Sequence, residues 1–236
     1  MGKIAMTYLM SDIHGDYENF CRIREMAGVS DDDKLYILGD LIDRGEKNLK
    51  LLGEVRNCPN IVLLKGNHEL FAEMYLDGSI SGRRWDSWGG KSTRKELDKL
   101  SSKEAEELQD YFYWLPKMEK ITCEGKQWIL THTGYVYGCS AYNENGTINT
   151  EKTIQKAMAK NEFNYLTSND LYEMNPEKEW DTTLIVGHYP VGLMRKNEGI
   201  VTFEKNYINL DAGNGYRSKG GRLACYCLET GEVWYV

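Results

Sequence analysis

The sequence predicts an α/β fold, a two-sheet β-sandwich flanked by helices, on three observations. Short runs rich in Ile, Leu, Val and aromatic residues recur along the chain and end in Gly or Asp, as buried strands opening into loops do. Helical patterns follow the first two runs, and the last part of the chain reads as hairpins.

In chain order, Met6–Met10 is the first strand and ends in Ser11-Asp12-Ile13-His14-Gly15; a helix follows over Asp16–Ala27. Leu35–Leu38 is the second and ends in Gly39-Asp40-Leu41-Ile42-Asp43-Arg44-Gly45, with a helix expected over Gly45–Arg56. Ile61–Leu64 is the third and runs into Gly66-Asn67-His68-Glu69. Residues 70–116 form a mainly helical excursion beside these loops. Within it Ser101-x-x-Glu104 is a capping-box pattern that opens a helix with Ala105, Leu108 and Phe112 on one face. Met118–Thr131 reads as two strands turning at Glu124-Gly125, the second carrying Trp128–Leu130 into Thr131-His132-Thr133-Gly134. The polar stretch Tyr135–Asp181 leans helical only at Glu151–Lys160 and is expected to form part of a substrate rim. Leu184–Val186 leads to Gly187-His188-Tyr189-Pro190, and Ile200–Leu210 and Leu223–Tyr235 are hairpins, the last turning at Thr230-Gly231. No Pro- or Ser-rich linker interrupts the series, so residues 1–236 are expected to be a single domain.

Bulk properties exclude several classes. With 41% hydrophobic and 28% charged residues the chain has the make-up of a soluble globular protein. A net charge of −7 argues against non-specific nucleic-acid binding, which needs a basic face to displace counterions. The apolar stretch Ile4–Met10 is too short to span a membrane, and Gly2 with Met6 fails the myristoylation pattern. The six cysteines have no C-x-x-C spacing and fit a reducing compartment, so a cytoplasmic location is expected, with Cys225 and Cys227 as buried small hydrophobes on one strand face.

The chain has only four histidines, His14, His68, His132 and His188, and each sits in or just after a turn that follows an apolar run. In open α/β sheets such strand ends collect at one edge, where sites form. Asp12, His14, Asp40, Asn67, His132 and His188 would meet there, a set of oxygen and nitrogen donors without a thiolate. That set suits a pair of divalent ions about 3.5–4 Å apart, which needs a bridging oxygen and about three further protein ligands for each ion. Asp12 and His14, two apart on an extended segment, can grip one ion; Asn67, His132 and His188 suit the other, and the two oxygens of Asp40 make it the natural bridge.

The ordered motifs carry a resemblance. The succession of a GD-x-HG-like first motif, GD-x-x-DRG over Gly39–Gly45, GNHE over Gly66–Glu69, and two later His turns resembles the phosphoprotein phosphatase branch of the calcineurin-like metallophosphoesterases. Trp85-x-x-Trp88-Gly89-Gly90-x-x-Thr93 resembles a W-x-x-N-G-G-x-x-T segment of the bacterial members. Leu115-Pro116 and Asn209-Leu210-Asp211-Ala212-Gly213 extend the likeness to the small bacterial and bacteriophage lambda type serine/threonine phosphatases. The resemblance implies two divalent ions, Mn²⁺ in practice with Fe, Zn or Ni as chemically acceptable alternatives. It leaves His68 free of metal, oriented by Asp43 and protonating the leaving oxygen. Arg44 would grip the phosphoryl group, and substrate binding would extend to Asn67. A metal-bridging hydroxide then attacks phosphorus directly, and a histidine of pKa about 6.5 supplies the proton an alkoxide needs.

Two departures matter. Ser11 stands where the first motif has Gly, which leaves both ligands in place. More seriously, the branch's second phosphate-binding arginine is missing: Asn164–Glu173 reads NYLTSNDLYE, and no arginine occurs from Thr133 to Gly187. Arg217, or else Arg83 or Arg84, would have to substitute from another loop. Other phosphate chemistries fail on their own terms, since Gly89-Gly90-Lys91-Ser92-Thr93 lacks the leading glycine of a P-loop and no cysteine precedes an arginine by six positions. The sequence thus predicts a metal-dependent phosphoesterase acting on phosphoserine or phosphothreonine in proteins. Hydrolysis of dinucleoside tetraphosphates or another nucleotide anhydride is the alternative. A non-catalytic binding module of the same fold is disfavoured, because every ligand and the His68–Asp43 pair are present.

Overall fold

The computed structural model describes residues 5–236, so Gly2 and Ile4 of the N-terminal expectations lie outside the described residues. Ten strands are assigned among them: β1 (Thr7–Met10), β2 (Lys34–Ile37), β3 (Ile61–Leu63), β4 (Met118–Cys123), β5 (Lys126–Thr131), β6 (Thr183–Val186), β7 (Thr202–Phe203), β8 (Tyr207–Asn209), β9 (Ala224–Cys227) and β10 (Val233–Tyr235). They form two five-stranded sheets, ordered β10-β9-β1-β2-β3 and β4-β5-β6-β8-β7. The site-bearing strands run parallel: β1, β2 and β3 in the first sheet, β5, β6 and β8 in the second. The expected hairpins are the antiparallel pairs β4–β5, β7–β8 and β9–β10.

Strand alternation explains the layering. Leu9, Leu130, Ile185, Ile208 and Tyr226 turn inward and fill the space between the two sheets. Their neighbours Tyr8, Met10, Leu35 and Ile37 turn outward and pack with Phe20, Ile23, Leu51 and Val55 of the helices covering the first sheet. On the second sheet Ile129, Leu184 and Val186 meet Ile154 and Tyr165 in the same way.

Helix α1 (Tyr17–Ala27) begins where expected, with the Asp16 side chain accepting from the Asn19 amide, and stops at Gly28 in the left-handed region. Helix α2 (Asn48–Asn57) starts later than the predicted Gly45. The reason is local: Gly45 lies against the first strand's loop, its amide donating to His14 O at 3.0 Å, and a Cβ there would fall 2.4 Å from the same oxygen. The excursion is helical throughout, as α3 (Asn67–Leu76), α4 (Gly82–Asp86), α5 (Lys91–Leu97) and α6 (Ser102–Trp114), and the Ser101–Glu104 capping box is formed. After β5 come α7 (Thr150–Lys160) and α8 (Glu162–Leu166), and after β6 comes α9 (Val191–Lys196).

Residues 135–181 depart from the rim that polarity suggested. Tyr135, Val136, Tyr165, Leu166, Leu171 and Tyr172 are buried and form the cover of the second sheet. Their apolar positions are spread over α7, α8 and a short 3-10 turn at Asp170–Glu173, too irregularly for one periodic signal. Cys225 and Cys227 are buried and unpaired, as expected. No helix among the described residues is long and apolar enough to cross a membrane.

Candidate active site

The loops after β1, β2, β3, β5 and β6 meet at one edge of the sandwich and bring all six predicted ligands together. They do so through unusual backbone. Asp12, His14, Asp40, Asp43, Arg44 and His188 have positive φ, between 53° and 76°, and non-Gly residues hold such conformations only where the surroundings over-determine them. The surroundings here are backbone bonds between loops: Asp12 N to Gly39 O (3.1 Å), His14 N to Asp40 O (3.0 Å) and Gly15 N to Leu41 O (2.7 Å).

Asp40 is central. Its Oδ1 accepts from the His68 amide at 3.0 Å and lies 3.4 Å from His132 Nε2. Asn67 Oδ1 lies 2.9 Å from His132 Nε2 and 2.8 Å from His188 Nδ1, and those two nitrogens are 3.1 Å apart. His132 Nδ1 donates to Leu38 O at 2.7 Å, which leaves the Nε2 lone pair facing the cluster. His14 does the same through Nδ1 and Ile42 O (3.2 Å), turning its Nε2 to within 4.0 Å of Asp12 Oδ1.

A cation suits this assembly. Asp12 Oδ1 is buried without a hydrogen-bond partner, and burial together with the Asp40 charge pushes the Asp12 carboxyl up to about 6. Burial and the neighbouring His132 drive His188 down to about 3. Like-charged groups crowded at hydrogen-bond distance repel unless positive charge sits among the oxygens and nitrogen lone pairs. The donor atoms of Asp40, His132 and His188 all lie within 4.8 Å of one another, as do those of His14, Asp40 and His68. The second grouping contains His68 where the sequence reading had Asp12.

The model of the calcineurin-like phosphoesterase family matches residues 6–218. The chain belongs to that family. Escherichia coli serine/threonine-protein phosphatase 2 is 32% identical over 130 residues, 54% of this chain and 58% of that protein. The symmetrical bis(5'-nucleosyl)-tetraphosphatase of Dechloromonas aromatica is 31% identical over 130 residues, 54% of this chain and 43% of its own length. The match thus spans about half the length of these relatives. A solved structure provisionally described as a diadenosine tetraphosphatase superposes with a TM-score of 0.63 at 14% identity, covering 100% of this chain and 95% of its own. A Saccharomyces cerevisiae serine/threonine phosphatase gives 0.53 at 14% identity, covering 98% and 79%. Both structural likenesses speak to the fold, which is the α/β sandwich that the sequence predicted.

Beside the candidate ligands of this phosphoesterase, His68 Nδ1 lies 2.6 Å from Asp43 Oδ2. Burial works against a charged imidazole, but the Asp40 charge and the bond to Asp43 outweigh it and hold the His68 pKa above its ordinary value. Arg44 reaches toward the same ring, its Nη2 3.4 Å from His68 Nε2, and its guanidinium lies 5.0 Å from the centre of the Tyr216 ring. Gly215 lets the backbone approach closely here, because a Cβ would fall 2.7 Å from Cδ2 of the His14 ring, which its bond to Ile42 O holds in place.

Arg217 borders a cavity of about 400 Å³ together with His14 and Arg44. Its Nη1 is engaged by Asn214 Oδ1 at 2.5 Å and lies 3.7 Å from Asp16 Oδ2. Arg84 stands elsewhere, over the Trp88 ring, and neither Arg83 nor Arg84 lines that cavity.

Sequence reasoning missed the residues that hold the machinery in place. Trp85 Nε1 donates to Asp43 Oδ2 at 2.8 Å, and the Thr93 hydroxyl donates to Asp43 Oδ1. The W-x-x-W-G-G-x-x-T pattern marked both positions without revealing their target. Glu69, wholly buried, accepts from the amides of Asp40 (2.8 Å), Leu41 (2.8 Å) and Gly66 (2.9 Å), tying the second and third loops together.

Proposed function

We propose that this chain hydrolyses phosphate esters by direct displacement at phosphorus. The reading rests above all on the His68–Asp43 pair at 2.6 Å beside the convergent ligand set. Two divalent ions held by Asp12, His14, Asp40, Asn67, His132 and His188, Mn²⁺ by likeness to the bacterial members, would supply a nucleophile active at neutral pH and neutralise phosphoryl charge. His68 gives its Nε2 proton to the departing oxygen while Asp43 holds the ring through Nδ1. Arg44, exposed and directed at the same edge, binds the phosphoryl oxygens, the Asn67 side chain contributes to substrate binding, and Arg217 extends the positive rim.

A buried acid with an orienting carboxylate is most valuable where the leaving group is a poor one, so phosphoserine and phosphothreonine in proteins are the first substrates to test. A nucleotide substrate, a dinucleoside tetraphosphate included, is the second reading. It is favoured by a specific observation, the lack of any arginine between Thr133 and Gly187 to share the phosphate with Arg44. Six cysteines without a C-x-x-C spacing support a reducing, cytoplasmic setting for the activity. Steady-state hydrolysis by metal-stripped protein, with and without added Mn²⁺, compares a phosphothreonine peptide with diadenosine tetraphosphate at matched concentrations. Preference for the peptide supports the first class and preference for the dinucleotide the second. No turnover of any phosphoester, or activity surviving His68→Asn and Asp40→Asn, defeats the reading.

A further inference from the structure

His68 shares a helix face with Phe71 of α3, their ring centroids 5.6 Å apart. From Phe71 the aromatic contacts continue outward. Trp88 lies 4.3 Å from Phe71 with 31° between the planes, and Phe163 of α8 lies 6.1 Å from Phe71 and 6.2 Å from Trp88. Phe71 is buried, Trp88 half-buried and Phe163 39% exposed, so the cluster begins in the core and surfaces beside the proton donor. The Arg84 guanidinium lies 4.8 Å from the centre of the Trp88 ring, and no carboxylate among the described residues pairs with it.

We propose that Trp88 and Phe163 form a stacking subsite for the nucleobase of a nucleotide substrate, on the side of the site where His68 meets the leaving oxygen. The inference rests on the phosphoesterase reading and deepens its nucleotide branch. Reach selects the ligand. The ring steps of 5.6 Å from His68 to Phe71 and 4.3 Å from Phe71 to Trp88 bound the distance to the indole, a span that a nucleoside joined to the reacting phosphates through its ribose reaches across. The ring of a phenyl ester, joined directly to the scissile oxygen, stops at Phe71, and a phosphothreonine side chain has no ring. An exposed cation–π contact is weaker than a base stacked on an aromatic ring, so a base displaces Arg84 from the indole. The freed guanidinium is then available to pair with the substrate's remaining phosphates.

Equilibrium binding tests this without turnover. Titration calorimetry of AMP and of ribose 5-phosphate into Mn²⁺-loaded His68→Asn protein, in which hydrolysis is suppressed, isolates the base, since the two share phosphate and sugar. AMP is expected to bind about 10-fold more tightly. The ratio should collapse to within about twofold when Trp88→Leu or Phe163→Ser is added, the latter at an exposed position that tolerates a polar side chain. Equal affinities before either is added, no AMP binding, or a ratio that survives both substitutions overturns the proposal. So does a gain in binding when Phe replaces Ala beside phosphothreonine in a peptide while AMP gains nothing, which would give the rings to a protein substrate. Failure of the phosphoesterase reading shows separately, as absent turnover by the wild type with the binding ratio intact.

Discussion

Asp43 is the residue on which the proposed acid chemistry turns. Its two oxygens face three donors, His68, Trp85 and Thr93, and it is wholly buried, so its position is set by its partners. His68→Asn should lower kcat on a phosphothreonine peptide by about 10²–10⁴-fold. The loss should be much smaller on p-nitrophenyl phosphate, whose leaving group needs no proton; equal losses on both would deny His68 the role of acid. Trp85→Phe keeps the ring against Tyr75, 5.2 Å away between centroids, and removes only the donor to Asp43. One hydrogen bond to a charged group corresponds to about a 10-fold fall in kcat. Affinity for Mn²⁺, read by titration, should stay unchanged, because Trp85 touches no ligand. Glu69 shows the same economy at the backbone, and burial with the adjacent Asp40 charge pushes its carboxyl up to about 7 even though three amides donate to it.

At the scale of elements, a buried ion cluster ties the third site loop to α8. Lys65, 1% exposed, bonds Glu73 of α3 and Glu162 of α8, the latter at 3.0 Å, and its amide donates to Pro116 O at 2.8 Å. Lys65→Met strands the partly buried Glu73 carboxylate and leaves Glu162 only Lys117, and thermal unfolding should report a loss of about 2–3 kcal/mol. Burial pushes the Glu162 carboxyl up, but the bonds and charges of Lys65 and Lys117 prevail and hold it below its ordinary value. A carboxyl depressed on folding contributes stability above its unfolded pKa and loses it as pH falls through the folded value. Glu162→Gln should therefore lower Tm by about 2 °C at pH 7, a figure kept small because the side chain is 35% exposed. The gap should close as the pH drops below about 4; a gap independent of pH would mean that packing, not charge, is what Glu162 contributes.

For the whole molecule, the ligand cluster joins the two sheets: Asp12, His14, Asp40 and Asn67 come from loops of one, His132 and His188 from loops of the other. Divalent ions held there, as proposed, would stabilise the sandwich by mass action. Metal at about 100 times its dissociation constant adds about 2.7 kcal/mol, so chelation should lower Tm by about 5–10 °C, restored by Mn²⁺. A Tm indifferent to chelator would deny metal to the folded site.

The sequence by itself determined the strands, the loops they open into and the six candidate donors that those loops bring together, because strand period, turn chemistry and donor type are local properties read within a few residues. It likewise carried the Ser101–Glu104 cap and all three hairpins. It did not reveal that α2 begins at Asn48, since the obstacle is the close approach of another loop to Gly45. Nor could polarity show that residues 135–181 cover the second sheet, or that Trp85 and Thr93 serve Asp43 from 42 and 50 positions away. Those facts depend on which surfaces meet after the sheets have stacked. Only the tertiary structure decided them, because burial and partner geometry belong to pairs of elements and are encoded in neither element alone.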